Sequence, residues 1–286
     1  MPWTDSAVLC VALGLRLLHV LSIRHASFFT HLQTERLRYH LWALSILSRT
    51  QRTSLPFDQA PGYPYLVAGI YATFGPRVTA VAVVQAVLDA ITCVAIARVG
   101  RRCFGAPAGL VAGLLAVAYG SFIYCTGELE SATPFVCAVT VAVALALAPA
   151  WPRWLLSGAC WALALLLRGE VLFAFPIVLA DAWRRGRGRG VAFVVAPTLL
   201  VLAAFTSANV VATGKIVPYV TSGGFNLWLG NNPDADGVNP FISGPREGVA
   251  RVLTAQATDA VEADRLYRQR AVSFWRDEPR AAIRLL

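Results

Sequence analysis

The stretch TAVAVVQAVLDAITCVAIAR, residues 79–98, decides the fold of this chain. A segment of about 20 mostly apolar residues can cross a lipid bilayer as one helix. The whole chain is 57% hydrophobic and 14% charged, whereas soluble domains carry about 25% charged residues. We therefore expect an all-α protein, a polytopic bundle of transmembrane helices. Further apolar segments lie at 6–23, 106–124, 132–149, 152–168, 170–183 and 190–208.

Arginine positions predict which loops face the cytoplasm, because positively charged residues accumulate on that side of the membrane. Residues 24–61, 126–131 and everything from 207 onward then face the outside. This arrangement requires one apolar segment not to cross. We choose 62–75, because about 14 residues are typical of a re-entrant or interfacial piece. The alternative is a shallow hairpin over 152–183. The arginines used are Arg98, Arg101, Arg102, Arg153, Arg184, Arg185, Arg187 and Arg189.

The chain divides into two predicted parts. Residues 1–208 form the transmembrane bundle, which includes an outer loop at 24–61, and residues 209–286 form an extracytoplasmic segment. One mostly polar helix is expected in this second part, from Glu247 to Trp275. Its last residues, PRAAIRLL, look like the start of another element, so we expect the segment to be truncated. The first apolar segment lacks the cleavage site of a secretory signal and is expected to stay as an anchor.

Charge and cysteine content exclude several classes of function. The net charge of +9 comes almost wholly from arginine, since Lys215 is the only lysine. Arginines in loops set membrane topology, whereas binding of nucleic acid needs an exposed basic face. The six cysteines form no CxxC pair, and inside apolar runs cysteine behaves as a small hydrophobic residue. We therefore expect no nucleic acid, no disulfide framework and no zinc site.

Several polar side chains lie inside or beside the apolar segments, where their burial is costly. Such residues either pair with one another or line a path through the membrane. Because Arg168 and Glu170 flank Gly169, we expect them to form an adjacent structural pair. The other two sequence pairs are Arg16 with His19 and Gln85 with Asp89.

The stretch TERLRYHLWA, residues 34–43, begins a predicted helix in the first outer loop. Leucines at 37, 41, 44 and 47 give this helix an apolar face, so it is expected to lie on the membrane surface. Tyr39 and Trp42 suit that interface, where the aromatic ring is buried and its polar tip stays wet. Glu35 is then either a catalytic carboxylate or only a favourable charge at a helix N-terminus.

Carboxylates from three separate segments are predicted at the same membrane face. Asp58 lies in SLPFDQAPGYPYL, an irregular stretch at membrane depth, and Glu128 and Glu130 lie in YCTGELESATP. Irregular backbone at that depth is tolerated where it lines a cavity or is covered by protein. A carboxylate can take the proton from an acceptor hydroxyl, and an arginine can hold a phosphate by two hydrogen bonds. This face therefore suits catalysis on a lipid phosphate.

A turn-rich segment, VPYVTSGGFNLWLGNNPDADG, occupies residues 217–237. Its amides at Asn226, Asn231 and Asn232 suit sugar hydroxyls, with Trp228 as a stacking surface. The alternative is a loop whose Asn and Asp side chains only close turns. The acidic spacing does not match a calcium-binding EF-hand.

The chain resembles the type C membrane glycosyltransferases, in particular bacterial proteins akin to the protein O-mannosyltransferases and the lipid A aminoarabinose transferase. The resemblance covers residues 10–286 and corresponds to the N-terminal half of those proteins. It implies further C-terminal membrane helices, in a bacterial plasma membrane. The motifs that carry it are Glu35 with Tyr39, Trp42 and Ala43, then QAPGYPYLVAGIYATFG at 59–75, RRCFG at 101–105, and GGFNLWLGNNPDADG at 223–237.

The resemblance implies that a polyprenyl-phosphate sugar is the donor and that transfer occurs on the extracytoplasmic face with inversion. It implies no cofactor and no divalent metal. Glu35, where the family usually has Asp, becomes the catalytic base, and Asp58 is the alternative base. An arginine, Arg36 or Arg38, becomes the phosphate ligand, because Gln59 stands where related transferases often have Lys. The remaining residues assigned to donor or acceptor binding are Gln59, Tyr39, Tyr63, Glu128, Asn231 and Asn232.

Two other functions fit parts of the sequence. A catalytically incomplete fragment or remnant of such a transferase fits Glu at position 35 and Gln at position 59. A polytopic transporter or flippase would instead use Arg16, Asp89 and the pair at 168 and 170 along a path near the membrane midplane. Transporters often contain inverted repeats, and the sequence shows no repeat. The oligomeric state stays open.

Overall fold

The structure, a computed structural model, describes residues 3–50, 56–148, 150–237 and 244–285. It is 82% helical, and no strand occurs in these ranges, which confirms the predicted all-α polytopic bundle. A 3-10 helix, Gly169–Ala174, lies between α9 and α10. In chain order the α-helices are α1 (Trp3–Ile23), α2 (Ser27–Thr30), α3 (Thr34–Ser48), α4 (Gly62–Phe74), α5 (Val78–Phe104), α6 (Ala106–Ala118), α7 (Gly120–Gly127), α8 (Ala132–Ala146), α9 (Trp151–Leu167), α10 (Phe175–Thr213), α11 (Gly223–Gly230), α12 (Pro245–Gln256), α13 (Ala260–Asp277) and α14 (Pro279–Arg284).

Within the described ranges, three helical segments are long and apolar enough to cross a membrane: α1, α5 and the part of α10 from Gly188 to Thr213. The pair α6 and α7 makes a fourth if it counts as one span, bent by 47°. Helices α8 and α9 are apolar but shorter. Helix α4 has 13 residues, about 20 Å at 1.5 Å per residue, so it is shorter than the apolar core of a bilayer.

The chain separates into two compact units. The first contains residues 1–52 and 60–201, and the second contains residues 53–59 and 202–286. The first unit therefore holds α1 to α9 and the beginning of α10. The second unit holds the end of α10 and the helices from α11 to α14.

A buried ion pair stabilises the bend between α6 and α7. Arg16 of α1 is 0% exposed, and its Nε lies 2.5 Å from Asp89 Oδ2 on α5. The same guanidinium donates to the carbonyl oxygens of Val117 at 2.7 Å and Ala116 at 3.0 Å. The last turn of a helix leaves such carbonyls without intrahelical partners. Arg16 supplies donors to them and pairs with Asp89, which favours a structural role for both residues over a transport path.

Helix α10 includes both of the predicted segments 170–183 and 190–208, apart from a beginning that is 3-10 helical. It also bends sharply around its glycines at 186, 188 and 190. A Cβ on Gly190 would lie 2.9 Å from the carbonyl oxygen of Ala182, although residues eight apart on a straight helix are separated by about 12 Å. Arginine and alanine favour a helix, so helical geometry continues through the arginine cluster where we expected a loop.

Helices α3 and α4 pack against each other around Ala43, Tyr63 and Val67. The prediction of a helix from residue 34 is therefore confirmed. Leu37 and Leu41 are exposed on α3, as expected of a surface that contacts lipid. Tyr39, in contrast, packs inward, with its ring centroid 4.9 Å from that of Tyr63 in an edge-to-face arrangement.

The second unit has its own small core, built from Trp228, Ala250, Tyr267 and Ala271. Here the prediction of one polar helix from 247 to 275 was wrong, because α12 and α13 are separate helices. Asp259 begins α13, and its carboxylate accepts a hydrogen bond from the Glu262 backbone N–H at 2.9 Å. Aspartate is a preferred residue at that position, which explains why a new helix begins there.

Candidate active site

In the first unit, polar side chains from α3, α4, α5, the α7–α8 connection and the end of α9 lie close together. We call this set the polar cluster. It contains most of the candidate residues of the predicted outer face. Its members are Glu35, Arg36, Arg38, Tyr39, Tyr63, Gln85, Glu128, Glu130, Ser131 and Arg168.

One half of the polar cluster is centred on Glu128. Its side chain is buried, and its Oε2 lies 2.6 Å from Arg36 Nε. The Glu128 backbone carbonyl accepts a hydrogen bond from Gln85 Nε2 at 2.7 Å. The Gln85 side-chain oxygen in turn accepts from the Tyr63 hydroxyl at 2.8 Å. These contacts join α3, α4 and α5 to the α7–α8 connection, so Arg36, Tyr63 and Glu128 are held in fixed positions.

The other half of the polar cluster is centred on Arg168, which follows the last residue of α9. Its Nη2 lies 2.7 Å from Glu130 Oε1, and its Nε donates to Ser131 Oγ at 3.0 Å. The expected pair of Arg168 with Glu170 was therefore wrong. Glu130 reaches Arg168 because α8 and α9 pack side by side, which brings the beginning of α8 beside the end of α9.

Glu35 lies in the first turn of α3, at the exposed edge of the polar cluster. Its side chain is 54% exposed and lies 3.8 Å from Arg38 Nη1. The ring of Tyr39 is partly buried, and its side chain interacts with Ser131. Burial raises the pKa of Tyr39, and the negative charge of Glu35 raises that pKa further. Glu35 therefore combines access to solvent with a nearby guanidinium.

Asp58 and Gln59 belong to the second unit and are described with it. Asp58 is exposed, and its Oδ1 accepts a hydrogen bond from the Gln59 backbone N–H at 2.9 Å. The side-chain oxygen of Gln59 is buried and has no hydrogen-bond partner among the described residues. The residue before them, Phe57, accepts a hydrogen bond at its carbonyl oxygen from the Thr221 backbone N–H at 3.0 Å. This bond connects residues 57–59 to the turn-rich segment.

The amides of Asn231 and Asn232 make contacts within the second unit. Asn231 donates to the Leu227 carbonyl at 2.7 Å and accepts from Trp275 Nε1 at 2.7 Å. Asn232 is 3% exposed and donates to the Trp228 carbonyl at 2.9 Å. Both side chains therefore satisfy carbonyls at the end of α11. Trp228 is 1% exposed, so it is a core residue and offers no stacking surface.

Gln85, Ser131, Arg168 and His19 lie in this region but were not predicted to belong to the candidate site. Ser131 and Arg168 contact each other, although 37 residues separate them. His19 of α1 has a buried Nε2 without a hydrogen-bond partner in the described part of the chain, and it lies against Gly127. The predicted membrane topology could have identified Arg168, because the segment that forms α9 was expected to end on the same side of the membrane as residues 126–131.

In the described residues, no group of three or more His, Cys, Asp or Glu side chains is arranged to hold a metal ion. The arginines of the polar cluster are its cationic groups. The arrangement is thus able to bind an anion through guanidinium groups and to accept a proton on a carboxylate.

A protein-family model described as dolichyl-phosphate-mannose-protein mannosyltransferase matches residues 58–212. The chain belongs to that family. The mannosyltransferase match includes Asp58, Gln59, Tyr63 and Glu128, whereas the helix that carries Glu35 lies ahead of it. Membership of this family, together with the apolar helices, identifies the chain as an integral membrane protein of the glycosyltransferase type. Searches of curated proteins and of solved structures gave no match.

Proposed function

We propose that the chain transfers a sugar from a polyprenyl-phosphate donor to an acceptor hydroxyl, with Glu35 as the catalytic base. The single observation that carries this proposal is the position of Glu35, an exposed carboxylate beside the Arg38 guanidinium in a chain of the mannosyltransferase family. The proposed location is the extracytoplasmic face, as the arginine distribution predicts, in a bacterial plasma membrane, as the resemblance implies.

In the proposed reaction, the Glu35 carboxylate accepts the proton of the acceptor hydroxyl. The acceptor oxygen forms a bond to the anomeric carbon of the sugar while the bond from that carbon to the phosphate oxygen breaks. Attack opposite the leaving group inverts the anomeric configuration. The polyprenyl phosphate leaves with the bonding electron pair, so atoms and charge balance without a redox partner. General base catalysis of this kind contributes about 100- to 10,000-fold to the rate.

Arg38 is the proposed ligand for the donor phosphate. Arg36 and Arg168 each form an ion pair with a glutamate, at 2.6 Å and 2.7 Å. Arg38 Nη1 lies 3.8 Å from Glu35 Oε1, and the Arg38 side chain is 35% exposed. A phosphate bound at Arg38 would therefore lie beside the proposed base and remain accessible from solvent. A guanidinium can make two parallel hydrogen bonds to phosphate, which would also orient the leaving group.

The remaining candidates take supporting roles in this proposal. Glu128 holds Arg36, and Tyr63 anchors Gln85, so both shape the polar cluster. Tyr39 lies beside Glu35 and is proposed to contact the sugar. Asp58 stays the alternative base, and Gln59 is a donor-side hydrogen-bonding group. Asn231 and Asn232 are proposed to affect the acceptor side through the shape of the α11 end, since their amides already have partners.

The test uses membranes that contain the whole chain, supplied with radiolabelled polyprenyl-phosphate mannose. Label that leaves the lipid is measured for the wild type, Glu35→Gln and Glu35→Asp. We expect Glu35→Gln to lose about 100-fold or more and Glu35→Asp to retain transfer. The matched control is Glu247→Gln on α12, another exposed glutamate near an arginine.

Full activity in Glu35→Gln would reject Glu35 as the base, and Asp58→Asn would then be the variant that loses transfer. Absence of release by the wild type would favour an incomplete transferase or a transporter. The same assay with added EDTA tests the proposed independence from divalent metal, for which retained transfer is expected.

A further inference from the structure

A cavity of about 450 Å³ lies in the first unit between α8, α9 and the two parts of the bent helix α10. Its walls are mostly apolar and include Val143, Trp154, Trp161 and Val178. Cavities of this size, within the range of about 300–1,000 Å³, are typical of sites that bind small organic ligands. We call it the apolar cavity.

The end of the apolar cavity that is bordered by Trp154 lies away from the polar cluster. Trp154 in its wall lies near the beginning of α9, whereas Arg168 of the polar cluster follows the end of that helix. At 1.5 Å per residue, these two positions are about 21 Å apart along α9. That end of the apolar cavity is therefore distinct from the polar cluster, although the cavity wall also includes Trp161 and Ala174.

One end of the apolar cavity is basic and bordered by tryptophan. Its wall includes Arg185, which forms an ion pair with Asp181 at 2.8 Å. Arg184 and Arg189 of the same helix are also exposed. Trp151 and Trp183 are 61% and 62% exposed near the same end of the helices. Exposed tryptophans mark the level of lipid headgroups, so this end of the cavity lies at the membrane interface.

We propose that the apolar cavity holds one acyl chain of an anionic phospholipid, whose headgroup phosphate lies on Arg184, Arg185 and Arg189. An apolar cavity between membrane helices matches a hydrocarbon chain. The arginines match the phosphate, since basic pockets between membrane helices on the cytoplasmic side bind anionic headgroups. Asp181 neutralises part of one arginine only, so the mouth keeps a net positive charge.

The test measures lipid binding to the purified whole chain by native mass spectrometry, with phosphatidylglycerol and phosphatidylcholine of equal chain length as probes. We expect tighter binding of phosphatidylglycerol. Each arginine near the surface contributes about fivefold to the binding of anionic lipid. The double variant Arg184→Gln with Arg189→Gln should therefore weaken phosphatidylglycerol binding about 30-fold. The matched control is Arg270→Gln with Arg276→Gln, two exposed arginines of α13.

A second measurement locates the acyl chain without relying on a core variant. Phosphatidylglycerol with a photoactivatable group in its chain is cross-linked to the wild type, and the labelled peptides are identified. We expect labels on residues 139–147, at the end of α8, and on residues 174–178. Val178→Phe should remove these labels by filling the cavity.

Three results would overturn the proposal. Equal binding of the two lipids would reject the charged headgroup site, and labels confined to the outer surface of α10 would reject the cavity as the chain site. Displacement of phosphatidylglycerol by a lower concentration of polyprenyl phosphate would assign the cavity to the donor lipid. None of these results depends on sugar transfer. The lipid site can therefore be accepted or rejected whether or not the proposed transferase activity is found.

Discussion

Arg36 Nε lies 2.6 Å from Glu128 Oε2 and joins α3 to the connection between α7 and α8. The two partners differ in exposure, because the Arg36 side chain is 31% exposed and that of Glu128 is 8% exposed. Replacing Arg36 and replacing Glu128 should therefore change the free energy of unfolding by different amounts. An arginine left alone can turn toward water, whereas a buried carboxylate left alone keeps its desolvation cost.

Arg36→Gln should lower the free energy of unfolding by about 1–3 kcal/mol, because it leaves Glu128 buried without its cation. Glu128→Gln should cost less. Thermal unfolding of the purified variants in detergent measures the difference. Arg251→Gln is the matched control, since Arg251 pairs with Glu247 on an exposed helix face and such pairs contribute at most about 1 kcal/mol. Equal losses for the two cluster variants would contradict the asymmetry.

Arg16→Met should be one of the most damaging single substitutions in the first unit. It leaves Asp89 buried without a cation and removes the donors to the carbonyls of Ala116 and Val117. Removal of one partner of a buried ion pair costs about 3–5 kcal/mol. The same unfolding assay should show that adding Asp89→Leu to Arg16→Met restores part of the lost stability. A double variant as unstable as the single one would show that the carbonyl contacts dominate.

Much of the fold could be predicted because its signals are local. An apolar run of sufficient length predicts a membrane helix whatever its partners are, as in α1 and α5. The end of α5 also has a local signal. Gly105, which follows its last residue, adopts a φ of +93°, and glycine is the usual residue where a helix ends in that conformation. Family membership was also accessible, because short motifs carry it.

The contacts of the candidate site could not be predicted because they join distant parts of the chain. Arg168 pairs with Glu130, 38 residues earlier, and not with its near neighbour Glu170. That choice depends on how α8 and α9 pack, which no local pattern contains. Gln85 is similar, since its amide donates to carbonyls 41 and 43 residues away. The sequence indicated that these polar groups need partners, and only the packing decides which partners they have.

The motif from 217 to 237 shows a different limit. Its asparagines suggested a sugar site and its glycines suggested turns, and one of these glycines, Gly224, packs α11 against α13. A Cβ on Gly224 would overlap the backbone oxygen of Asp264, and the Gly224 N–H donates to the Asp264 carboxylate. Composition alone does not separate a binding loop from a tightly packed helix end, because both use small and amide side chains.

Gly224→Ala should therefore destabilise the second unit by about 1–3 kcal/mol, the usual cost of overpacking. Gly230→Ala at the end of the same helix is the matched control, since a Cβ there meets nothing within 4 Å. Hydrogen exchange of α11 and α13 measures the local effect. Faster exchange in both variants would show that the change does not depend on the contact with Asp264, because Gly→Ala without a steric clash stabilises a helix.

His40 of α3 should make the first unit less stable in mild acid. Its Nδ1 lies 2.8 Å from the Tyr71 hydroxyl, and burial lowers the pKa of the imidazole. The unfolded chain, with an ordinary histidine pKa of about 6.5, then binds more protons below that pH than the folded chain does. The resulting contribution to stability is present above about pH 6.5 and is lost as the pH falls.

His40→Gln separates this effect from loss of the hydrogen bond, because a lost bond shifts the melting temperature equally at every pH. We expect the melting temperature of the wild type to fall relative to that of His40→Gln between about pH 7.5 and pH 5.5, the range in which an ordinary histidine titrates. His25→Gln, at an exposed position, is the matched control and should follow the wild type. A difference between the wild type and His40→Gln that stays constant with pH would mean that His40 keeps its proton affinity on folding, and its contact with Tyr71 would then act only through packing and hydrogen bonding.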